Sequence, residues 1–297
     1  MRKQICVLAG PSSKDLAKSM TKILAAEIID VGLKVFPDGE SKIKINGDPS
    51  GKFALMVQST YPPVNAQLLE ALFIIKKASK MGAEVCAVIP YLAYARQDQE
   101  FVKGEAVSME SIGSMFDSSG VKSLITVDIH SETALSYFTI PVHNVSAVPL
   151  LASHFKSQKL VQPIVVSPDI GGGIRAEEFA KIIEAESIAL PKQRDRSTGE
   201  VSIDSSAPEL MKVKNRDAIV VDDMISTGGS IIKAAEVLLK ADCNKIFVSC
   251  THALLVDEVL DRIKAAGVRE IIATNTVPSE VSKVDVAPAI CDQVNKL

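Results

Sequence analysis

The 297-residue chain is poor in net charge, in histidine and in paired cysteine. Its formal net charge is −3, so no basic field draws nucleic acid or an anionic membrane surface. No run of about 18 apolar residues occurs, and no transmembrane helix is expected. The first apolar stretch, within "QICVLAG", is too short for the core of a signal peptide and reads as a first strand. With four histidines, a His-rich metal site is not expected. Cys6, Cys86, Cys243, Cys250 and Cys291 are odd in number, scattered and mostly inside apolar runs, with no CxxC pair. That pattern favours reduced, buried thiols in a cytoplasmic protein over disulfides or a zinc site.

What the chain does have is rhythm. Its hydrophobic content is 47%, as in ordinary globular proteins. "QICVLAG", "FALMVQS", "EVCAVIPY", "SLITVDI", "PIVVSPD", "AIVVDD", "KIFVSCT" and "EIIATNT" are continuous apolar runs. Such runs mark strands buried on both faces, as in a parallel sheet covered by helices. Helical periodicity lies between them, for instance over 66–80 and 230–240; Ile231, Ala235, Leu238 and Leu239 share one face. The alternation predicts an α/β, doubly wound architecture.

The halves also echo each other. "FDSSGVKSLITVDIHS" is matched by "IKAAGVREIIATNTVPS", "FALMVQSTYPPVNAQLLEAL" by "AIVVDDMISTGGSIIKAAEVLL", and "LAGPSSKDLAKSM" by "VVSPDIGGGIRAEEFAKII". A period of roughly 150 residues is too long for a solenoid. Two duplicated domains are expected, 1–146 and 147–297, meeting near 143–150. The last segment, "AICDQVNKL", is expected to be a helix packing back on the first domain.

Several loops carry chemistry. In "AIVVDDMISTGGS", Ser226, Thr227, Gly228, Gly229 and Ser230 fall at a helix N-terminus. Unpaired N–H groups and a positive dipole favour a phosphate there. The glycines let the backbone approach, and the hydroxyls add donors. No GK[ST] follows, so this is not a Walker A loop. Asp222 and Asp223, at the strand end, could accept from sugar hydroxyls or hold a hydrated metal. Phe36, Asp38, Gly39 and Glu40 belong to "VFPDGES", which taken alone is an ordinary turn. Arg96 and Gln97 lie in a long polar loop over 90–108, suited to gripping a nucleotide. Asp128 and His130 follow a strand; a lone histidine is usually structural. Asp169 stands at a strand end before a glycine run. Lys192, Arg194 and Arg196 make "LPKQRDRSTGEVS" a basic loop able to close over phosphates.

The hydrophobic–Asp-Asp…[ST]-[ST]-Gly-Gly-[ST] pattern resembles the ribose-phosphate motif of the phosphoribosyltransferase fold. FPDGE, then YARQD with a following GEA, DIH, SPD-x-GG, K-x-R and DD…STGGS occur in that order. Over essentially the whole chain this resembles the ribose-phosphate pyrophosphokinase family, whose members move the βγ-diphosphate of ATP onto the C1 hydroxyl of ribose 5-phosphate. The resemblance implies two phosphoribosyltransferase-like domains. It implies ATP binding by Phe36, Asp38, Gly39, Glu40, Arg96 and Gln97. It places ribose 5-phosphate on Asp222, Asp223 and Ser226 to Ser230, with Arg194. It makes Lys192 and Arg194 catalytic, and His130 and Asp169 ligands of Mg²⁺. It also implies a homodimer or larger homo-oligomer whose ATP site a neighbouring subunit completes. Four positions depart from the pattern: Ser226 stands where many relatives have an acid, Ile170 where a histidine is common, Gln99-Glu100 where regulated forms are basic, and Gln193 thins the basic loop. A nucleobase phosphoribosyltransferase would share the DD…STGG motif without requiring FPDGE or the Arg-Gln pair. A silent regulator of such an enzyme would tend to lose the loop and nucleotide residues kept here.

Overall fold

The computed structural model describes residues 3–194, 201–203 and 207–297, with only the backbone at 192–194 and 201–203. The chain forms two compact units. The first comprises 1–146, 276–278 and 285–297; the second comprises 147–275 and 279–284.

In the first unit the order is β1 (Ile5–Ala9), α1 (Lys14–Leu24), β2 (Glu27–Val35), β3 (Ser41–Ile45), β4 (Phe53–Val57), α2 (Val64–Lys80), β5 (Glu84–Val88), α3 (Ser108–Ser119), β6 (Ser123–Val127) and β7 (Val142–Val145). Its sheet runs β3-β2-β1-β4-β5-β6-β7. Every pairing is parallel except the β2–β3 hairpin. The continuous apolar runs become the inner strands because both sheet faces are covered; all five residues of β6 are buried. Leu68, Ala71, Ile74, Ile75 and Ala78 form the buried stripe of α2. The edge strand β3 turns Ile43 and Ile45 inward and leaves Lys42 and Lys44 exposed, which discourages pairing with another edge.

The second unit contains α4 (Val148–Lys156), β8 (Ile164–Ser167), α5 (Gly173–Ile183), β9 (Glu186–Ala189), β10 (Lys192–Arg194), β11 (Val201–Ile203), β12 (Asp217–Ile225), α6 (Gly229–Lys240), β13 (Lys245–Ala253), α7 (Val259–Ala265), β14 (Val268–Thr274) and β15 (Ser282–Val284). Its main sheet runs β15-β14-β13-β12-β8-β9, all parallel. The strands β10 and β11 form a separate antiparallel hairpin. The closing helix α8 (Ala287–Val294) packs on α1 within the first unit, where Ser19 Oγ also donates to Asp285.

Read side by side, β2-β1-β4-β5-β6-β7 and β9-β8-β12-β13-β14-β15 follow the same plan. The expected duplicated α/β fold is therefore the observed one. All eight expected strands are present. The strand over 217–225 runs past Asp223, where it was expected to end, because parallel pairing with β13 continues through Met224–His252 and Ile225–Ala253. All five cysteines are free and buried. Among the described residues, no helix is long and apolar enough to cross a membrane.

Candidate functional site

In an open parallel sheet, ligands bind beyond the carboxyl ends of the strands where the winding direction reverses. In the second unit that reversal lies between β8 and β12, which are direct neighbours. The chain leaves β8 for β9 on one side and returns as β12 on the other. Asp169 follows β8, and Asp222 and Asp223 lie near the end of β12, so three carboxylates flank this crevice. The loop 226–228 and the start of α6 close it.

The details suit an anion beside a sugar. Gly228 caps α6 with φ +73°, a left-handed conformation that favours glycine. A Cβ there would also meet Val259 Cγ2 at 2.5 Å, so the loop needs glycine on two counts. Around Gly229 a Cβ would find only Thr227 Oγ1, at 4.0 Å; the backbone is open to a close-lying ligand. Thr227 is exposed, and Ser226 and Ser230 are half-buried. Asp223 is buried, and its N–H donates to Asp222 Oδ1 at 2.9 Å. Burial chiefly, then the charges of Asp223 and Asp169, hold Asp222 well above the usual carboxylate range. Such a group gains from a hydrogen-bond donor or a cation beside it. Asp169 is already shaped for its loop: Gly172 N donates to its Oδ1 at 3.0 Å, and Ser167 Oγ donates to its carbonyl at 2.6 Å.

The matching crevice of the first unit, between β1 and β4, is filled by its own side chains. Ser12 follows β1 as Asp169 follows β8, and where Asp222 and Asp223 lie near the end of β12 the first unit has Gln58, Ser59 and Thr60 just after β4. Gln58, Ser59 and Thr60 are fully buried. Ser12 N donates to Gln58 Oε1 at 3.2 Å, Ser12 Oγ to Ser59 O at 2.8 Å, and Ser59 N to Ser13 Oγ at 2.9 Å. Gln58 Nε2 donates in turn to Gln67 Oε1. A Cβ on Gly10 would fall 2.2 Å from Gln58 Oε1, so the loop is pressed against that side chain. The cap of α2 is Pro63, which has no N–H to offer, in place of Gly228.

The remaining expected residues lie as follows. Phe36 to Glu40 form the tip of the β2–β3 hairpin, closed by Phe36 N to Glu40 O at 2.8 Å and Gly39 N to Phe36 O at 2.9 Å, with Gly39 at φ +92°. Lys34 Nζ lies 5.1 Å from the centre of the Phe36 ring. Asp38 and Glu40 are exposed. The last β2–β1 pair is Asp30–Ala9, so residues 31–35 carry the tip past the carboxyl end of the sheet. Arg96 and Gln97 are exposed in the loop after β5, at the same end. β5 is three strands from β2, a sideways separation of roughly 14 Å at the usual strand spacing. Both groups lie at one end of the unit, the tip across a groove from Ala66 of α2 and the Arg96 loop bonded through Tyr94 to Asn65. His130 is exposed just beyond β6, after the buried Asp128, whose φ is +39°; it belongs to the first unit, and Asp169 to the second. Lys192 and Arg194 lie on β10, and their side chains, like Arg196, fall outside the described part of the structure. No cluster of three or more His, Cys, Asp or Glu side chains of metal-holding geometry occurs among the described residues.

Comparison with known proteins identifies the family. The family model for the N-terminal domain of ribose phosphate pyrophosphokinase matches residues 5–120, and that for the phosphoribosyl synthetase-associated domain matches 196–293. Proteins called ribose-phosphate pyrophosphokinase are similar along nearly their whole length. The one from Sulfurisphaera tokodaii is 37% identical over 97% of this chain and 99% of its own. That from Methanopyrus kandleri is 38% identical over 98% and 99%. A crystal structure of phosphoribosylpyrophosphate synthetase from Mycobacterium smegmatis superposes with a TM-score of 0.85 at 26% identity, covering 99% of this chain and 98% of that one.

Proposed function

The chain belongs to the ribose-phosphate pyrophosphokinase family, and from that premise we propose how its residues make phosphoribosyl pyrophosphate from ATP and ribose 5-phosphate. The carrying observation is the contrast between two crevices of one design, one lined by Asp169, Asp222, Asp223 and an open glycine loop, the other closed by serine and glutamine. Ribose 5-phosphate binds in the open one. Ser226, Thr227 and Ser230, with the N–H groups at the start of α6, take the 5-phosphate. Asp222 and Asp223 accept from the ribose hydroxyls, which fixes the C1 oxygen outward. Neutral Gln58 and its partners leave no counterpart site in the first unit.

The reaction forms a bond from the C1 oxygen to the β-phosphorus of ATP and breaks the bond from that phosphorus to the oxygen of the α-phosphate. AMP leaves, and the proton of the C1 hydroxyl passes to solvent or buffer. Such transfer depends on alignment and neutralisation of charge more than on covalent chemistry. Lys192 and Arg194 supply positive charge against the transferring phosphoryl group, with Arg194 also toward the sugar phosphate. Phe36 offers adenine an aromatic face, and Arg96 a guanidinium plane. Asp38, Glu40 and Gln97 read polar edges, and the left-handed Gly39 shapes the tip. By likeness to the family, a neighbouring subunit completes the ATP site in a homodimer or larger assembly.

The donor chemistry fits Mg²⁺: hard carboxylate oxygens suit a cation that keeps several waters and takes few protein ligands. Asp169 and His130 are the residues we assign to it. When bound it neutralises diphosphate charge. An intracellular, cytoplasmic setting suits the reduced cysteines and these substrates. The test is product analysis by phosphorus NMR with ATP, ribose 5-phosphate and Mg²⁺. AMP and a C1 diphosphate are expected; diphosphate released from phosphoribosyl pyrophosphate only when a nucleobase is added would point instead to a nucleobase transferase.

A further inference from the structure

Glu70 lies in the middle of α2, 3% exposed, among Leu68, Ala71, Ile74 and Ile75. A carboxylate in such a place is costly unless it has work that an apolar side chain cannot do. It has no ion-pair partner among the described residues. Its Oε1 accepts from Ser41 Oγ at 2.7 Å, and its Oε2 has no hydrogen-bond partner. Ser41 opens β3, pairs with Val35 and directly follows Glu40, so this bond sits at the base of the Phe36–Glu40 tip. The tip is internally closed by its two backbone bonds and by Glu40 N to Asp38 Oδ1 at 3.1 Å. It therefore moves as one piece. Asp38, Gly39, Glu40 and Ser41 face Ala66, Leu69 and Phe73 of α2 across a groove of about 580 Å³, so the tip overhangs the helix without packing on it. Below the tip, Ile43 and Ile45 are the inward residues of β3; their apolar contacts set depth but are weakly directional. A hydroxyl held by a buried, rotamer-locked carboxylate is directional.

We propose that Glu70 is a positioning residue for ATP: through Ser41 it sets the angle at which the hairpin presents Phe36, Asp38 and Glu40 to the nucleotide. This rests on the reading of the tip as part of the ATP site. The test compares steady-state constants of the full-length protein and its variants for both substrates. Glu70→Leu and Ser41→Ala should each raise KM for ATP about tenfold, the effect of losing one charge-assisted hydrogen bond. KM for ribose 5-phosphate should stay within about twofold. The double variant should be no worse than either single one, and Glu70→Gln, which keeps a carbonyl acceptor, should recover most of the affinity. Asp38→Ala serves as the reference. If it raises KM for ATP while Glu70→Leu and Ser41→Ala do not, the positioning role is wrong and the ATP reading stands. If none of the three does, the ATP reading fails and the proposal with it. Losses spread over both KM values and kcat mean a merely structural carboxylate and overturn the proposal. Should Glu70→Leu not fold, Ser41→Ala at the hairpin base decides alone.

Discussion

Ionising Asp222 places a charge in a crevice already holding Asp223 and Asp169, and its raised affinity for a proton reports the strain. The folded carboxyl titrates at about 8 instead of 3.8. The folded state therefore binds more protons than the unfolded one between these values, and stability falls as pH rises through that window, then levels off. Asp222→Asn removes the penalty. In the protein without substrates its gain in stability should be near zero at pH 4, grow as pH rises, and be largest above pH 8. Thermal unfolding across pH measures it; a gain that shrinks with rising pH contradicts the account. The same change should weaken ribose 5-phosphate binding, so the acid is kept at a cost to the fold. Gly228→Ala should destabilise at every pH by about 1–3 kcal/mol, because it adds a Cβ at positive φ and against Val259. Denaturant melts would show it, and no loss would mean the loop relaxes freely.

At the scale of elements, the two hairpins outside the parallel ladder are the parts a strand count misses. In β2 and β3, apolar residues are interrupted by Lys34, Lys42 and Lys44, because an edge is half solvated and carries charge against mispairing. "FPDGE" reads as a turn from composition and is one; that it overhangs α2 could not be read from the turn. Glu70 was equally hidden, since an acid in an amphipathic helix is ordinarily on its wet face and this one is not. The short edge strands β7, β9 and β15 also escaped notice, being three or four residues long. The hairpin of β10 and β11 carries the basic pair. Lys192→Ala should lower kcat about 10²-fold, as loss of one transition-state donor does, with little change in Tm. Near-normal turnover would remove Lys192 from the chemistry.

For the whole molecule, the internal repeat was plain in the sequence because matched strand, turn and helix runs recur in order, and the observed sheets repeat their strand order accordingly. Which crevice is open was only half legible. Asp222, Asp223 and Gly228 announce one site; the closure of the other depends on hydrogen bonds among Ser12, Ser13, Gln58 and Ser59 that bring together residues 46 apart. An ATP site shared between copies makes a further prediction. If one copy supplies the hairpin and another the Arg96 loop, Phe36→Ala and Arg96→Ala proteins should each be weak alone. Unfolded together and refolded as an equal mixture, they should regain roughly a quarter of wild-type activity, from random pairing in a symmetric dimer. No recovery would place both groups in sites built by a single copy.

The central claim is that the second unit's crevice holds ribose 5-phosphate and its twin in the first does not. Titration calorimetry with ribose 5-phosphate and Mg²⁺ measures this directly. One site per chain is expected, its affinity strongly reduced in a Thr227→Ala/Ser230→Ala variant and unchanged in Ser12→Ala. Two sites per chain, or binding indifferent to Thr227 and Ser230, would contradict it.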